Sequence, residues 1–199
     1  MQQPPQQPER QPSPMELVEL LGIFLAVLVR AWACSIYVFT RKQFGRRYFG
    51  VSTFLAVPLI GTFGLSVSRT PEEMIPHTVM LWAWVFMMAM HRLAQFRRRP
   101  EMEPHSHYDG MPRLCGWLGI SEETAKTRAE PALVALIGLG MTFVLPGLGA
   151  YVGIGGLMCA ADYRRNQDLV RDRVQQLRDA EMEQEAVRRA YDHVYREDY

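Results

Sequence analysis

The sequence predicts an all-α protein of the multi-pass integral membrane class. Three observations support this fold class. Long hydrophobic stretches recur along the 199-residue chain, and a helix needs about 20 such residues to cross a hydrocarbon core of ~30 Å. Arginine-rich polar connectors separate these stretches. The C-terminal segment, residues 162–199, is polar and rich in helix-forming residues.

Composition excludes several classes of protein. The chain has 22 basic and 21 acidic side chains, a formal net charge of +1, which excludes a generally basic nucleic-acid-binding protein. The three cysteines, Cys34, Cys115 and Cys159, are odd in number and far apart. They exclude a disulfide scaffold and a zinc site of the CxxC type. We therefore expect no nucleic-acid partner and no cofactor.

The N-terminus combines a polar tail with the first hydrophobic stretch. Residues 1–14 are almost entirely Gln and Pro, which predicts a disordered tail. Residues 17–39 are long enough for one span, since 23 residues extend roughly 34 Å as a helix. Residues 31–33 before Cys34 resemble a signal-peptide cleavage site, but the preceding region is acidic and Arg30 interrupts the apolar run. We expect an uncleaved anchor.

Two further spans are predicted over residues 48–68 and 74–96. Pro58 lies inside the second span and predicts a kink, because proline lacks the N–H that a helix uses. Pro76 falls in the first turn of the third span, where a missing N–H costs nothing. The sequence thus predicts three transmembrane helices within a membrane bundle that extends from residue 15 to residue 161.

A Gly-rich hydrophobic hairpin is predicted over residues 131–161, after a polar loop at 97–130. This stretch of 31 uncharged residues is too long for one ordinary span and short for two. Pro146 and Gly147 near its centre are a turn signal. Two arms of about 15 residues would cross a thinned bilayer or turn within it. A single tilted span is the alternative.

Small residues mark one face of the second arm. Gly149, Gly153, Gly156 and Ala160 recur at helical spacing, and small residues at that spacing allow two helix backbones to approach closely. We expect this face to pack on the preceding arm, on another span or on a second copy of the chain.

The distribution of positive charge predicts the topology. Arginine and lysine residues number one before the first span, four after it, one after the second and six after the third. Because positively charged connectors stay in the cytoplasm, we expect an external N-terminus and a cytoplasmic loop at 97–130. The hairpin returns the C-terminus to the cytoplasm. We expect the plasma membrane.

The C-terminal segment predicts a cytoplasmic amphipathic helix over residues 162–199. Leu169, Val170, Val174 and Leu177 follow helical spacing. The segment has 8 basic and 10 acidic residues, and this net charge of −2 argues against tight adhesion to anionic lipid. We therefore expect a protein partner or self-association through this helix, in addition to the lipid bilayer itself.

Arg30 is the candidate intramembrane polar residue. It lies 11 residues before Arg41, about 16 Å from the cytoplasmic interface in a helix. An arginine at that depth is costly and usually faces a bundle interior or a water-filled cavity. Its expected partners are carbonyl groups freed near Pro58, water, or an anionic ligand or lipid phosphate. The alternative is an arginine that extends to the interface and thins the membrane locally.

A possible metal site lies in the polar loop. Glu101, Glu103, His105, His107 and Asp109 recur with a period of two, which places them on one face of an extended strand. Imidazole and carboxylate ligands suit Zn, Mn or Fe. Pro104 interrupts such a strand, and a solvated polar loop is the alternative.

Three function classes follow from these patterns. The first is a non-catalytic membrane subunit or scaffold that presents a cytoplasmic platform to a larger assembly, since most polar sequence with folding potential lies on one side. The second is a small transporter or channel that uses Arg30. The third is a metal-dependent enzyme at the membrane surface. Because no catalytic constellation is evident, we expect a protein that is not an enzyme.

Overall fold

The computed structural model describes residues 13–98 and 108–196, which are mostly helical. A π-helical segment, Ala125–Ala129, joins α6 to α7, and strands β1 (Arg41–Lys42) and β2 (Met111–Pro112) pair antiparallel. The all-α prediction is confirmed apart from this short pair. Within these residues the helices are α1 (Pro14–Thr40), α2 (Val51–Phe54), α3 (Ala56–Val67), α4 (Pro71–Arg97), α5 (Arg113–Leu118), α6 (Glu122–Thr124), α7 (Glu130–Thr142) and α8 (Pro146–Arg196).

Helix α1 begins at a complete capping box. The Ser13 hydroxyl accepts a hydrogen bond from the Glu16 N–H, and the Glu16 carboxylate accepts one from the Ser13 N–H, so two otherwise unpaired donors are satisfied. The first half of the helix, to residue 25, is exposed, whereas residues 31 and 33–38 are buried. Helix α1 therefore packs in the bundle only through its second half.

The second predicted span is broken into α2 and α3, which corrects the expectation of one continuous helix at 48–68. The break falls at Leu55. Pro58 explains it, because a proline ring excludes the carbonyl of the residue four positions earlier, here Phe54, and cannot donate to it. Helix α3 has 12 residues, which extend only about 18 Å.

Two of the described helices, α1 and α4, are long and apolar enough to cross a membrane, and α3 is a shorter apolar helix. Three full-length transmembrane helices were expected, and by length and composition two of the described helices qualify as candidates. Helix α4 begins at Pro71, before the predicted start at residue 74, so Pro76 lies inside the helix and not in its first turn, which corrects that expectation. The Thr70 hydroxyl accepts the N–H of Glu73, and Pro71 occupies the first helical position.

Helices α7 and α8 form a closely packed hairpin. The turn lies at residues 143–145, and Pro146 begins α8. A side chain at Gly149 would strike the backbone of α7 at Thr142, and one at Gly156 would come within 2.7 Å of the Ala135 nitrogen. The glycine face of α8 thus packs on the preceding arm, while Ala160 on the same face is half-buried.

Helix α8 is one continuous helix of 51 residues, which corrects the expectation of a separate cytoplasmic helix at 162–199. Its length is about 76 Å. No glycine or proline occurs between residues 157 and 196, so no residue type that breaks helices separates the apolar hairpin arm from the polar segment. We call residues 163–196 the α8 arm.

The bundle has two distinct ends. At one end, a side chain added at Gly147 would contact both Val67 and His77, so the α7–α8 turn lies beside the α3–α4 connection. At the other end, the Gln95 side chain donates to the carbonyls of Phe44 and Gly45. The start of α7 and the end of α1 also meet at this end, through Glu130 and Arg41.

Apolar side chains cover the outside of the bundle as well as its centre. The core includes Tyr37, Trp84 and Tyr151. Large apolar residues on the outer faces of several helices are nevertheless more than half exposed, and these include Phe24, Leu65, Val79, Trp82, Phe86, Leu136, Leu139 and Phe143. Such a surface is unusual for a water-soluble monomer.

Candidate functional site

Arg41 is the centre of a charged cluster at the end of the bundle where α1 and α7 meet. The residue follows the last residue of α1, and Glu130 is the first residue of α7. The Arg41 guanidinium is fully buried, with Nη2 2.7 Å from Glu130 Oε2 and Nε within 3.0 Å of both Glu130 oxygens. It also lies 3.5 Å from the centre of the Tyr37 ring. Thr40 donates a further hydrogen bond to Glu130.

Asp109 and Lys126 extend this cluster towards the surface. Arg41 Nη1 lies 2.6 Å from Asp109 Oδ2, and Lys126 Nζ lies 2.5 Å from Asp109 Oδ1. Lys126 also pairs with Glu122 at 2.7 Å. Lys126 belongs to the π-helical segment, an irregularity that is frequent at functional sites. We call Arg41, Asp109, Glu122, Lys126 and Glu130 the charged cluster.

The cluster shifts the titration of its acidic members. Burial alone would raise the pKa of the Asp109 carboxyl, but Arg41 and Lys126 outweigh burial and lower that pKa below its ordinary value. The pKa of Glu122 is lowered as well, because hydrogen bonds from Lys126 and Tyr108 outweigh its burial. Both carboxylates are therefore ionised at neutral pH and hold the 108–126 segment against the cations.

Arg30 has a partner that the sequence did not indicate. Its Nη1 lies 2.9 Å from Asp162 Oδ2, and its guanidinium lies 4.8 Å from the centre of the Tyr48 ring. The expectation of carbonyl groups near Pro58 as partners is therefore wrong. Asp162 directly follows the hydrophobic arm of the hairpin. Just beyond it, Arg165 donates to the Ala26 carbonyl. The part of α1 that contacts this end of the hairpin is therefore residues 26–30, which precede Arg41 along the helix.

A cavity of about 900 Å³ lies beside the Arg30–Asp162 ion pair and the charged cluster. Arg30 and Tyr48 line it from α1 and the segment that follows, and Asp109, Glu122 and Lys126 line it from the charged cluster. Glu123 of α6 also lines it, and the remaining wall is the first part of the α8 arm. Its residues that line the cavity are Tyr163, Asn166, Gln167, Leu169, Val170, Arg171 and Arg173. We call this space the polar cavity.

Four of the five residues of the possible metal site, Glu101, Glu103, His105 and His107, lie outside the described residues, and only Asp109 lies within them. Both oxygens of Asp109 contact cations, which leaves this carboxylate poorly suited to a metal. Within residues 13–98 and 108–196, no group of three or more His, Cys, Asp or Glu side chains could hold a metal ion.

Sequence reasoning missed the charged cluster and the Arg30 partner, although signals for both exist. Arg41 follows the first span, and Glu130 precedes the uncharged stretch at 131–161. The charge pattern had already assigned both residues to one side of the membrane, so a pair between them could have been inferred. Asp162 likewise is the first charged residue after that stretch.

Comparison of the chain with protein-family models, with curated proteins and with solved structures found no match.

Proposed function

We propose that the chain is a multi-pass membrane subunit that presents a cytoplasmic platform to a partner protein. The observation that carries this proposal is the continuity of α8, which begins in a glycine-packed apolar hairpin and extends far beyond it. The platform consists of the α8 arm and the 108–130 segment. The charged cluster fastens that segment to α1 and α7.

The inside-out distribution of polarity supports a location in a bilayer. The charged side chains that are buried are paired, as Arg41 and Glu130 are, at relative exposures of 0% and 1%. Leu139 and Phe143, by contrast, are exposed at 60% and 86%. A hydrocarbon solvent favours this arrangement, since exposed apolar residues cost nothing in lipid and buried polar groups find partners inside the protein.

The two ends of the bundle support a topology in which α7 and α8 cross as a hairpin. The α7–α8 turn lies beside the α3–α4 connection, which the charge rule places outside. The start of α7 lies beside Arg41, which the same rule places inside. The C-terminus is then cytoplasmic. An external N-terminus rests on the charge pattern alone. Helix α1 contacts α8 from Tyr151 to Arg165, and its residue nearest the N-terminus in this contact, Ala26, lies against Arg165, beyond the hairpin.

The α8 arm has the features of a surface that binds a partner helix. Leu169, Val170, Val174 and Leu177 have exposed fractions of 45%, 59%, 59% and 67%. Residues of this kind at helical spacing pack into an apolar groove or against a second amphipathic helix. Because the arm is continuous with the hairpin, a partner bound to it would be held at a fixed position relative to the membrane.

An affinity experiment with the full chain tests this proposal. Tagged protein would be isolated from native membranes in mild detergent and compared with the Val174→Glu, Leu177→Glu double variant. The matched control is Gln175→Glu, Gln176→Glu, which adds the same charge off the apolar stripe. We expect one polypeptide at fixed stoichiometry with the parent chain and the control, and its loss from the first variant. Isolation of the chain alone as a monomer, or equal recovery with all three proteins, would contradict the proposal.

No specific observation favours the two alternatives. The transporter hypothesis rested on Arg30, Pro58 and the Gly-rich hairpin, and Arg30 is paired with Asp162. The enzyme hypothesis depended on His105 and His107, which lie outside the described residues.

A further inference from the structure

The polar cavity lies where α1 leaves the bundle. Arg30 lines it, and the exposed apolar half of α1 ends one turn earlier, at Leu25, which is 59% exposed. Glu122 and Glu123, which also line the cavity, belong to the platform. The volume of about 900 Å³ falls within the range of ligand sites, which is roughly 300–1,000 Å³. The cavity therefore connects a lipid-facing helix to a water-facing surface.

Charges of both signs line the cavity. Arg30, Arg171 and Arg173 line it from α1 and α8, and Glu122 and Glu123 line it from α6. Lys126 and Asp109 of the charged cluster line it as well, and Lys126 pairs with both Asp109 and Glu122. Arg30 commits Nη1 to Asp162 and retains Nη2 and Nε. Arg171 is held weakly by Asp168 at 3.8 Å. Within the described ranges, the side chains of Arg173 and Glu123 make no hydrogen bond or ion pair.

We propose that the polar cavity binds a zwitterionic group that carries both a phosphate and a primary amine, the chemistry of a phosphatidylethanolamine headgroup. The phosphate contacts the arginines, because guanidinium groups form strong, charge-assisted hydrogen bonds with phosphate oxygens. The ammonium group contacts Glu123, because Glu122 is already paired with Lys126 and accepts a hydrogen bond from Tyr108. Leu169 and Val170 add apolar surface to the same wall. A simple anion would meet the two glutamates, and a simple cation would meet the arginines.

A phospholipid rather than a soluble zwitterion is the occupant that the position of the cavity favours. This step rests on the proposed membrane location of α1, since acyl chains would lie along its exposed apolar half. A headgroup held between α1 and the α8 arm would set the angle at which the arm leaves the membrane. Phosphatidylcholine carries the same charges but its quaternary ammonium cannot donate a hydrogen bond, so it should bind more weakly.

The test measures lipid binding to the full chain, purified in detergent and stripped of lipid. Native mass spectrometry would compare phosphatidylethanolamine, phosphatidylcholine and phosphatidylglycerol of identical acyl chains, with free phosphoethanolamine as a further ligand. We expect phosphatidylethanolamine to bind at least about fivefold more tightly than either other lipid. Arg173→Gln and Glu123→Gln should each weaken it by about fivefold or more, as expected for one charge-assisted hydrogen bond. Arg178→Gln and Glu181→Gln, which do not line the cavity, are the controls.

The outcomes separate this inference from the proposed function. Tight binding of free phosphoethanolamine with the same variant pattern would support the site but assign it to a soluble ligand, which overturns the lipid assignment. Equal affinity for the three lipids, or equal loss in the control variants, would overturn the site. A chain that stays in solution without detergent would instead overturn the membrane location, whatever its affinity for the headgroup.

Discussion

At the scale of single residues, the fold depends on charges that are buried and paired. The Arg41 guanidinium donates hydrogen bonds to both Glu130 carboxylate oxygens and to Asp109 Oδ2 while fully removed from solvent. A buried pair of this kind contributes little net free energy compared with apolar residues, yet removal of one partner is costly because the other charge remains unpaired. The pair therefore specifies where α1, the 108–130 segment and α7 meet.

We predict that Glu130→Ala lowers the free energy of unfolding by about 3–5 kcal/mol, the usual cost of leaving a buried charge without its partner. Chemical denaturation in detergent micelles measures this change. Glu181→Ala on the exposed α8 arm should change it by no more than about 0.5 kcal/mol. The double variant Arg41→Leu, Glu130→Leu should recover part of the loss. A small effect of Glu130→Ala would show that Arg41 is not buried as described.

Asp109 predicts how stability depends on pH. Its pKa in the folded protein is lowered, so its stabilising effect is fully present above its unfolded pKa of about 3.9. That effect is lost as the pH falls through the lower, folded pKa. We predict that the melting temperatures of the parent chain and Asp109→Asn differ at pH 5–7 and converge below about pH 4.

A melting series between pH 2.5 and 7 in detergent checks this prediction, with the exposed arm variant Asp179→Asn as the control. The control should follow the parent chain throughout the series. A difference between parent and Asp109→Asn that stays constant with pH would show that the carboxylate is not stabilised by Arg41 and Lys126.

At the scale of elements, the hairpin of α7 and α8 depends on some of its glycines and not on others, because only some of them lie where an added side chain would collide with the facing helix. A side chain at Gly138 would collide with the backbone of Gly153, whereas one at Gly140 on the same helix meets open space. The sequence predicted a small-residue face over Gly149, Gly153 and Gly156. It did not identify Gly138, because spacing alone does not show which glycines of the facing helix complete the contact.

We predict that Gly138→Ala destabilises the chain by about 1–3 kcal/mol, the typical cost of overpacking. Gly140→Ala should be neutral or should stabilise by up to about 1 kcal/mol, since alanine favours a helix over glycine. Unfolding in detergent measures both variants. Equal effects of the two substitutions would contradict the described packing of α7 on α8.

Two helix boundaries show why the sequence predicted the existence of helices more accurately than the residues at which they begin and end. Pro58 predicted a kink, and the chain breaks at Leu55, because the proline acts on the carbonyl four residues before it. The end of the hairpin was placed at residue 161 from the change in polarity. The helix continues to Arg196, since hydrophobicity changes there while helix propensity does not.

At the scale of the whole molecule, the sequence predicted the helical class and the order of the apolar segments. It did not predict which residues from distant segments meet. Arg30 and Asp162 are separated by 132 positions in the sequence. They meet because α1 packs against α8, a tertiary contact that sequence patterns do not indicate. The depth of Arg30 was inferred from its distance to Arg41 along one helix, which assumed that α1 runs parallel to the other spans.

The bundle as a whole has one end formed by the α7–α8 turn and the α3–α4 connection and another formed by the charged cluster. We propose that a bilayer separates these ends. The polar cavity and the α8 arm then lie on the cytoplasmic side. The proposed partner surface and the proposed headgroup site both depend on this separation, because each needs a fixed position relative to the lipid.

Labelling of single cysteines in sealed, right-side-out membrane vesicles tests this claim most directly. The variants are Glu72→Cys, Lys42→Cys and Gln176→Cys, treated with a membrane-impermeant maleimide, and the parent chain, whose three cysteines are buried, gives the background. We expect Glu72→Cys to react in intact vesicles and the other two to react only after permeabilisation. Reaction of Gln176→Cys together with Glu72→Cys would indicate a single crossing of residues 131–161, and equal reaction of all three variants in intact vesicles would contradict the membrane-spanning bundle.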